Sequence, residues 1–249
     1  MHTLDHAPFL TTHWSLVLAA GQTTADNHED ALNELCRAYW PPLYAFLRRE
    51  GRSPEQAADL TQGFFALMLE RGSLGHADPL RGRFRTFLLT ALKRFATDQF
   101  RIDSAQKRGG GRETLPLDTG VLNEEEAQLA VTPIETETPE HLYLRRWASA
   151  LLDLAVTRTR EDYGRLGQTA LFDALKASVW GTDEVLTSGA IAAQLGLSDG
   201  SVRTATTRLR ERFRSRLRNC VRETLSPDAT DHEIDAELRE LTATLRGAH

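Results

Sequence analysis

The stretch SGAIAAQLGLSDGSVRTATTRLR, residues 188–210, decides most of the fold. Its apolar residues recur at three- and four-residue spacing on both sides of a glycine, which predicts two amphipathic helices joined by a tight turn. A small residue is needed at Ala192, where the two helices would cross closely, and the turn favours a positive φ at Gly196. We expect Leu197 to plug the corner and Ser198 to cap the second helix.

The second of these helices carries side chains that can contact DNA. Arginine can make bidentate contacts to guanine, and threonine can contact bases or phosphates. Arginine also continues at every second position from Arg210 to Arg218, a spacing that suits phosphate contacts. The pattern predicts a DNA-binding helix-turn-helix, and the alternative is a helical hairpin with a solvated arginine-rich face. The candidate contact residues are Ser198, Asp199, Arg203, Thr204, Thr207, Arg208 and Arg210.

Charge is distributed unevenly along the chain. The 249 residues carry 30 Lys and Arg against 35 Asp and Glu, and the net charge of −5 at first argues against a nucleic-acid-binding protein. Residues 81–108, however, carry a net +6 and residues 203–222 a net +7, so that the remainder carries −18. Two basic segments on an acidic body predict local nucleic-acid binding in spite of the overall charge.

The rest of the chain is also predicted to be helical, because alternating β-branched residues are scarce. We expect a helix over residues 31–39 that Pro41 and Pro42 break or restart, and a second helix over residues 43–50. Ser53-Pro54-Glu55-Gln56 is a capping-box pattern that starts the next helix. Further helices are expected over residues 83–101, 140–163 and 168–179, and the tail carries a helical stripe made of Ile234, Leu238, Leu241 and Leu245.

The domain organisation follows from one biased segment. Residues 109–140 begin with three glycines, contain three prolines and carry eight acidic residues against one arginine, so they are predicted to be a flexible acidic linker. The prediction is therefore an all-α protein of two helical domains. Residues 1–108 form the N-terminal domain, 141–225 the C-terminal helix-turn-helix domain, and 226–249 an acidic extension.

The basic segment over residues 83–101 is a second candidate nucleic-acid interface. Its apolar side chains share one helical face, and its basic side chains lie on the flanks and the opposite face. An ordinary amphipathic helix with a solvated face is the alternative. The continuation into Gln106-Lys107-Arg108 and a glycine run favours nucleic acid. A basic track beside aromatic rings suits a single-stranded or melted strand.

Taken in order, these segments resemble a bacterial RNA polymerase sigma factor of the extracytoplasmic-function (ECF) type, in a larger variant with a long linker and a C-terminal extension. Asp59, Gln62 and Phe65 match the helix that binds the polymerase clamp in that family, although Gly63 replaces the usual acidic residue. The resemblance implies that these three residues bind core RNA polymerase, and that the N-terminal domain is similar to sigma region two.

The resemblance also gives roles to the two basic segments. Residues 83–101 look like the promoter-melting helix that engages the −10 element, and Phe87 stands where many members have tryptophan. Residues 188–210 resemble the fourth conserved region, which reads the −35 element. Promoter DNA is thus the second implied partner, and promoter recognition with DNA melting is the implied function. The implied −10 contacts are Arg83, Arg85, Phe87, Lys93, Arg94 and Arg101.

Other classes of function have little support. The two cysteines, Cys36 and Cys220, form no CxxC pattern, which argues against a disulfide scaffold or a zinc site. The sequence has no P-loop, HExxH, GxSxG or dinucleotide-binding fingerprint, so we expect no enzymatic activity, no metal and no cofactor. No stretch approaches the roughly 18 apolar residues of a membrane span, and the cytoplasm is the expected location.

Two alternatives stay open. A stand-alone helix-turn-helix regulator with an N-terminal sensing or dimerisation domain would bind a palindromic site without polymerase. A helical enzyme with an incidental basic hairpin is the less favoured one. Regulation by an anti-sigma factor or by the tail is also open. Charge complementarity leads to the hypothesis that the acidic tail folds onto residues 203–222 and lowers DNA affinity.

Overall fold

A computed structural model of the chain describes residues 28–70, 82–105, 126–127, 129, 137–180 and 188–246. These residues form eight helices and no strand, which confirms the predicted all-α class. The helices are α1 (His28–Arg49), α2 (Pro54–Glu70), α3 (Phe84–Ala105), α4 (Pro139–Arg165), α5 (Thr169–Trp180), α6 (Ser188–Leu195), α7 (Asp199–Glu223) and α8 (Asp231–Arg246).

The described residues fall into two compact units. The described residues between 28 and 150 and between 222 and 246 belong to one of them, which we name the composite unit because it joins two distant parts of the chain. Residues 151–221 make up the other, which we name the inserted unit. The domain and linker boundaries expected at residues 108, 140 and 225 stay predictions.

The helix α1 runs without interruption through Pro41 and Pro42, so the predicted break at this point is wrong. A proline inside a helix removes a backbone donor and costs about 3 kcal/mol or more. Here every residue from 39 to 47 is buried, and Leu43 and Phe46 are completely enclosed. The local sequence pattern predicts that the two prolines end the helix. Tertiary packing of this segment offsets their energetic cost, and the helix continues.

The start of α2 follows the predicted capping box. The Ser53 backbone N–H donates to Oε1 of Gln56 over 3.1 Å, and the Gln56 backbone N–H donates to Oγ of Ser53 over 3.2 Å. Pro54 occupies the first helical position, where its missing N–H needs no partner. The helix then ends at Glu70, next to the predicted end near Arg71.

Aromatic rings pack α1, α2 and α3 together in the composite unit. Tyr39 meets Phe84 edge-on, with ring centroids 5.4 Å apart, and Phe64 lies 5.9 Å from Phe95. Gly63 lies where α2 and α3 approach closely, because a Cβ at this position would stand 3.3 Å from Cζ of Phe95. The residue that departs from the sigma-factor pattern thus makes room for a core ring.

The first half of α4 and all of α8 also belong to the composite unit. Trp147 of α4 is buried, as are Ile234 and Leu241 on the predicted apolar stripe of α8. The N-terminus of α8 has its own capping box, in which the Glu233 backbone N–H donates to Oγ1 of Thr230 and the Thr230 N–H donates to Oε2 of Glu233. The tail is therefore a defined helix with a buried face.

Some residues of the predicted linker are ion-paired within the composite unit. Nε of Arg48 lies 2.6 Å from Oε1 of Glu126, which also accepts a hydrogen bond from the Tyr44 hydroxyl. The Glu137 carboxylate is held by Arg145 over 2.7 Å. The last two residues of the predicted linker, Pro139 and Glu140, already belong to α4. Most other positions of residues 109–140 lie outside the described residues.

The inserted unit has a separate apolar core. Tyr163 and Phe172 pack with ring centroids 5.7 Å apart, and buried aliphatic residues of α5, α6 and α7 complete the cluster. The larger aliphatic members of this core are Leu175, Ile191, Val202 and Leu209.

None of the described helices is long and apolar enough to cross a membrane.

Candidate nucleic-acid and polymerase interfaces

The turn between α6 and α7 has the predicted geometry. Gly196 adopts a φ of 64°, and the Leu197 backbone N–H donates to the carbonyl of Ala192 over 2.9 Å, as in a Schellman motif. The side chain of Ser198 caps α7, since its Oγ accepts from the Ser201 N–H over 3.2 Å. Leu197 does not plug the corner, because it is 40% exposed and the core beneath the turn is already filled by other side chains of α6 and α7.

The candidate DNA-contacting residues on α7 share one property, which is solvent exposure. Their exposure leaves the first three turns of α7 open to a ligand, while Val202 and Leu209 point into the core. The hydroxyls of Thr204 and Thr207 donate to backbone carbonyls one turn earlier, over 3.0 and 3.2 Å. The exposed residues are Ser198, Asp199, Arg203, Thr204, Thr207, Arg208 and Arg210.

Two arginines further along α7 serve the structure of the inserted unit. The Arg216 guanidinium grips both carboxylate oxygens of Asp162 over 2.5 Å. These hydrogen bonds from Arg216 hold the pKa of Asp162 below its ordinary value. The Arg212 guanidinium lies over the Tyr163 ring, 5.4 Å from its centroid. The every-second-position pattern therefore mixes Arg216, which is partly buried and ion-paired, with exposed arginines such as Arg212 and Arg214.

In the composite unit, the first two arginines of the candidate −10 segment contact α8. Arg83, whose side chain is 34% exposed, lies 2.6 Å from a carboxylate oxygen of Glu237 and 2.5 Å from one of Glu240. Arg85, whose side chain is only 3% exposed, pairs with the same two glutamates. The Glu237 carboxylate is completely buried. One buried carboxylate thus joins two arginines that precede or begin α3.

The surroundings of Arg85 enclose it on the remaining sides. Its guanidinium carbon lies 4.0 Å from the centroid of the Trp147 ring, and its backbone carbonyl accepts a hydrogen bond of 2.9 Å from the Tyr143 hydroxyl. Burial raises the pKa of Glu240, but hydrogen bonds and charge from Arg83 and Arg85 outweigh it, so that this pKa lies below the ordinary value. The site is therefore a cluster of two arginines and two glutamates that packs against the Trp147 ring.

The acidic tail pairs with a different basic segment from the one that the sequence hypothesis named. Within the described residues of the composite unit, Glu237 and Glu240 pair with the first basic segment, whereas the hypothesis assigned the tail to residues 203–222. A short local pair between Arg222 and Asp231, 3.1 Å apart, also links the end of α7 to the start of α8. The apolar face of α8 is buried in the composite unit, and this packing brings its glutamates to Arg83 and Arg85. Charge complementarity alone does not specify which basic segment the tail contacts.

The other predicted −10 residues lie in mixed environments. Phe87 is half-buried, with its ring 5.9 Å from that of Phe84. Lys93 pairs with Glu140 and lies 5.3 Å from the centroid of the Phe46 ring. Arg94 and Arg101 are exposed on α3. The exposed basic side chains Arg94 and Arg101, together with half-exposed Arg83, are the ones best placed to meet nucleic acid.

The three candidate polymerase contacts on α2 differ in accessibility. Asp59 is exposed and Gln62 is half-buried, so both present atoms at the surface. Phe65 is 8% exposed and packs 5.7 Å from the Phe64 ring centroid. Phe65 is therefore mostly a core residue, and only a small part of its surface is available to a partner.

Glu237 is the functional candidate that sequence reasoning missed. A signal was present, because Glu237 lies three residues after Ile234 and four before Leu241, in the middle of the apolar stripe of α8. A charged residue on a buried face requires a partner of opposite charge. The identity of that partner, about 150 residues away, is not encoded in any local pattern.

The comparison with protein families bears on this arrangement. Residues 35–105 match the family model for Sigma-70 region 2. No curated protein and no solved structure is significantly similar to the chain. The matched segment includes most of α1, all of α2 and α3, the three candidate polymerase contacts and both arginines paired to α8. The match supports a sigma factor of the sigma-70 family, a class that acts in promoter recognition and transcription initiation.

Proposed function

We propose that this chain is an ECF-type sigma factor that binds core RNA polymerase and directs promoter recognition and DNA melting. The observation that carries the proposal is the match of residues 35–105 to Sigma-70 region 2. A second exposed basic surface on α7 accompanies it. RNA synthesis itself would belong to the polymerase, so the chain needs no catalytic residue or cofactor, and it would act in the cytoplasm.

In this proposal, the composite unit binds the polymerase and the −10 element. Asp59 and Gln62 provide polar contacts to the core enzyme, and the buried Phe65 supports their helix from beneath. Arg94 and Arg101 supply positive charge along α3 for the separated strand, and Arg83, just before α3, adds a partly exposed side chain that is also paired with Glu237 and Glu240. Phe87 and Lys93 lie on the same helix, and their partial exposure limits them to the edge of that surface.

The inserted unit would read the −35 element with α6 and α7. A helix-turn-helix places the N-terminal residues of its second helix against base edges in the major groove. Asp199, Arg203 and Thr204 occupy that position on α7, and all are exposed. Arg208 and Arg210 come one to two turns later and would contact phosphates, which fix orientation and add affinity but no sequence preference.

A reconstituted transcription reaction tests the proposal. The full chain, core RNA polymerase and a pool of genomic promoter fragments are mixed, and the 5′ ends of the transcripts are sequenced. We expect initiation at a restricted set of promoters that share two sequence elements. The Arg203→Ala variant should lose discrimination at the −35 element, whereas Arg216→Lys, at a structural position, serves as a matched control.

The alternative function makes a different prediction. A stand-alone regulator would bind a palindromic duplex tightly without polymerase and would not stimulate initiation. Selection of duplex sites by the chain alone, followed by the same selection with core polymerase, separates the two. Specific palindromic binding by the chain alone, without transcripts, would replace the sigma-factor proposal.

A further inference from the structure

We propose that α8 is a working part of the promoter-opening unit and that Glu237 is a positioning residue. In this proposal, Glu237 holds Arg83 and Arg85, and through them it fixes the first turn of α3. The inference rests on the proposed function, because it takes α3 as the helix that engages the −10 element. It assigns Arg85 an internal role, which removes this residue from the predicted set of DNA contacts.

The first step is the enclosure of the Arg85–Glu237 pair. Both side chains are almost completely shielded from water, at 3% and 0% exposure. Two charges removed from water are tolerated when they compensate each other, and the loss of either one strands the other. The Trp147 ring beneath the guanidinium and the Tyr143 hydroxyl on the Arg85 carbonyl add further fixed contacts. A phosphate could reach Arg85 only after this cluster had opened.

The second step is the geometry of the first turn of α3. The Arg83 carbonyl accepts hydrogen bonds from the backbone N–H groups of Thr86 and Phe87, over 3.0 and 3.2 Å. The backbone of Arg83 therefore begins the helix while its side chain is held by Glu237 and Glu240. Phe87, the aromatic residue of the candidate melting surface, lies on the same turn. A shift of α8 would thus be transmitted to the residues that meet the separated strand.

The third step distinguishes a component from an inhibitor. A tail that competes with DNA would be expected to hold exposed arginines through exposed carboxylates, so that DNA could displace it. Here the pair at the centre is buried, and α8 also buries Ile234 and Leu241 and has its own N-terminal capping box. These features favour a permanent position for α8. Arg83, which keeps 34% of its side chain exposed, stays accessible beside it.

The test compares Glu237→Gln with Asp235→Asn, a change at an exposed acidic position on the same helix. Promoter opening is measured in the polymerase complex as permanganate reactivity of −10 thymines. Binding to core polymerase and to a −35 duplex is measured in parallel. Glu237→Gln should lower promoter opening by about tenfold or more, because Arg83 and Arg85 lose the buried carboxylate that pairs with both of them. The affinities for core polymerase and for the −35 duplex should stay within about twofold of the wild-type values. Asp235→Asn should behave like the wild-type chain.

A double variant separates positioning from loss of folding. Arg85→Met with Glu237→Leu replaces the buried pair by apolar side chains, which is often neutral or stabilising. If this variant unfolds at the wild-type temperature and still opens the promoter poorly, the positioning role is supported. Full opening by the stable double variant would overturn it. An increase in opening or DNA affinity for Glu237→Gln would also overturn it, since α8 would then be inhibitory.

Hydrogen exchange provides a readout that needs neither promoter nor polymerase. Amides of residues 86–89 should exchange faster in Glu237→Gln than in the wild-type chain, whereas amides of α6 and α7 should not change. Unchanged exchange in α3 would refute the positioning role even if the chain proved to have another function. If the wild-type chain fails to direct initiation but exchange responds as expected, the proposed function fails and the structural coupling stands.

Discussion

Gly63 faces the ring of Phe95 so closely that a Cβ on the glycine would stand 3.3 Å from Cζ of the ring. A glycine inside a helix costs roughly 1 kcal/mol of helix stability relative to alanine, so helix propensity does not explain a glycine at this position. The contact supplies the reason, because the helices α2 and α3 meet at this point. The departure from the sigma-factor pattern at Gly63 is thus coupled to the large aromatic residue at position 95.

The first prediction concerns this contact. Gly63→Ala should change the free energy of unfolding by less than about 1 kcal/mol, because the gain in helix propensity and the crowding of Phe95 oppose each other. Gly63→Val should destabilise the protein by about 2 kcal/mol, since a branched side chain overpacks the contact. Urea unfolding measures both, with Thr97→Val at an exposed position of α3 as control. Equal stability of the valine variant and the wild type would contradict the packing argument.

The second prediction separates the structural and exposed arginines of α7. Arg208→Ala should weaken duplex binding and reduce the dependence of log Kd on log salt by about 1, with little change in stability. Arg216→Ala should leave Asp162, whose side chain is 12% exposed, with the more exposed Arg165 as its remaining ion-pair partner and destabilise the inserted unit by about 1 kcal/mol. Filter binding across a salt series and thermal unfolding provide the two measurements. The argument fails if the two variants exchange their effects.

The third prediction is an acid sensitivity of the composite unit. Burial raises the pKa of Glu137, but hydrogen bonds from Arg145 and His141 outweigh burial, and the pKa lies below the ordinary value of 4.5. The pKa of Glu240 is also lowered. A carboxylate whose pKa is lower in the folded state than in the unfolded state stabilises the protein at any pH above its unfolded-state pKa. This contribution disappears as the pH falls through the folded-state pKa. Stability measured by urea unfolding should therefore be constant above about pH 5.5 and decline below 4.5.

The control for this pH dependence is Glu137→Gln. The variant should be less stable than the wild type at neutral pH, and its stability should fall less steeply between pH 4.5 and 3, because one of the responsible carboxylates is absent. Parallel pH curves for the two proteins would show that Glu137 does not contribute.

The fourth prediction concerns thiol reactivity. Burial raises the pKa of Cys36 to about 11, and Cys220 is completely buried in the inserted unit. Since the thiolate is the reactive species, both cysteines should react slowly with iodoacetamide at pH 8 in the folded chain and rapidly in urea. Mass spectrometry of the alkylated peptides measures each site separately. Rapid labelling of Cys36 in the folded protein would contradict the burial of its thiol.

The features that local chemistry determines were predictable from the sequence. The cap at Ser53 and the positive φ at Gly196 each depend on a few neighbouring residues, and both were predicted correctly. The helix across Pro41 and Pro42 was not, because its stability comes from side chains packed against it from other helices. Local propensity describes the cost of such prolines and carries no information on the packing that offsets it.

The candidate site divides in the same way. The exposed face of α7 follows from helical periodicity, since Val202 and Leu209 define the core side and Arg203 lies between them. The internal roles of Arg85 and Arg216 do not follow, because each depends on carboxylates contributed by another helix, Glu237 and Glu240 for Arg85 and Asp162 for Arg216. A basic residue looks the same in sequence whether it faces a phosphate or a buried glutamate.

The separation along the chain between Arg85 and its partners has a consequence for biosynthesis. Glu240 follows Arg85 by 155 residues, and the whole inserted unit is translated between them. While that unit emerges from the ribosome, Arg85 and the apolar surface that receives Ile234 and Leu241 have no α8 to cover them. Domains ordinarily fold as units in the order of their synthesis, but this composite unit is completed only after the one inserted into it. Any message truncated before α8 would therefore yield a chain that has its α7 surface and lacks a finished composite unit.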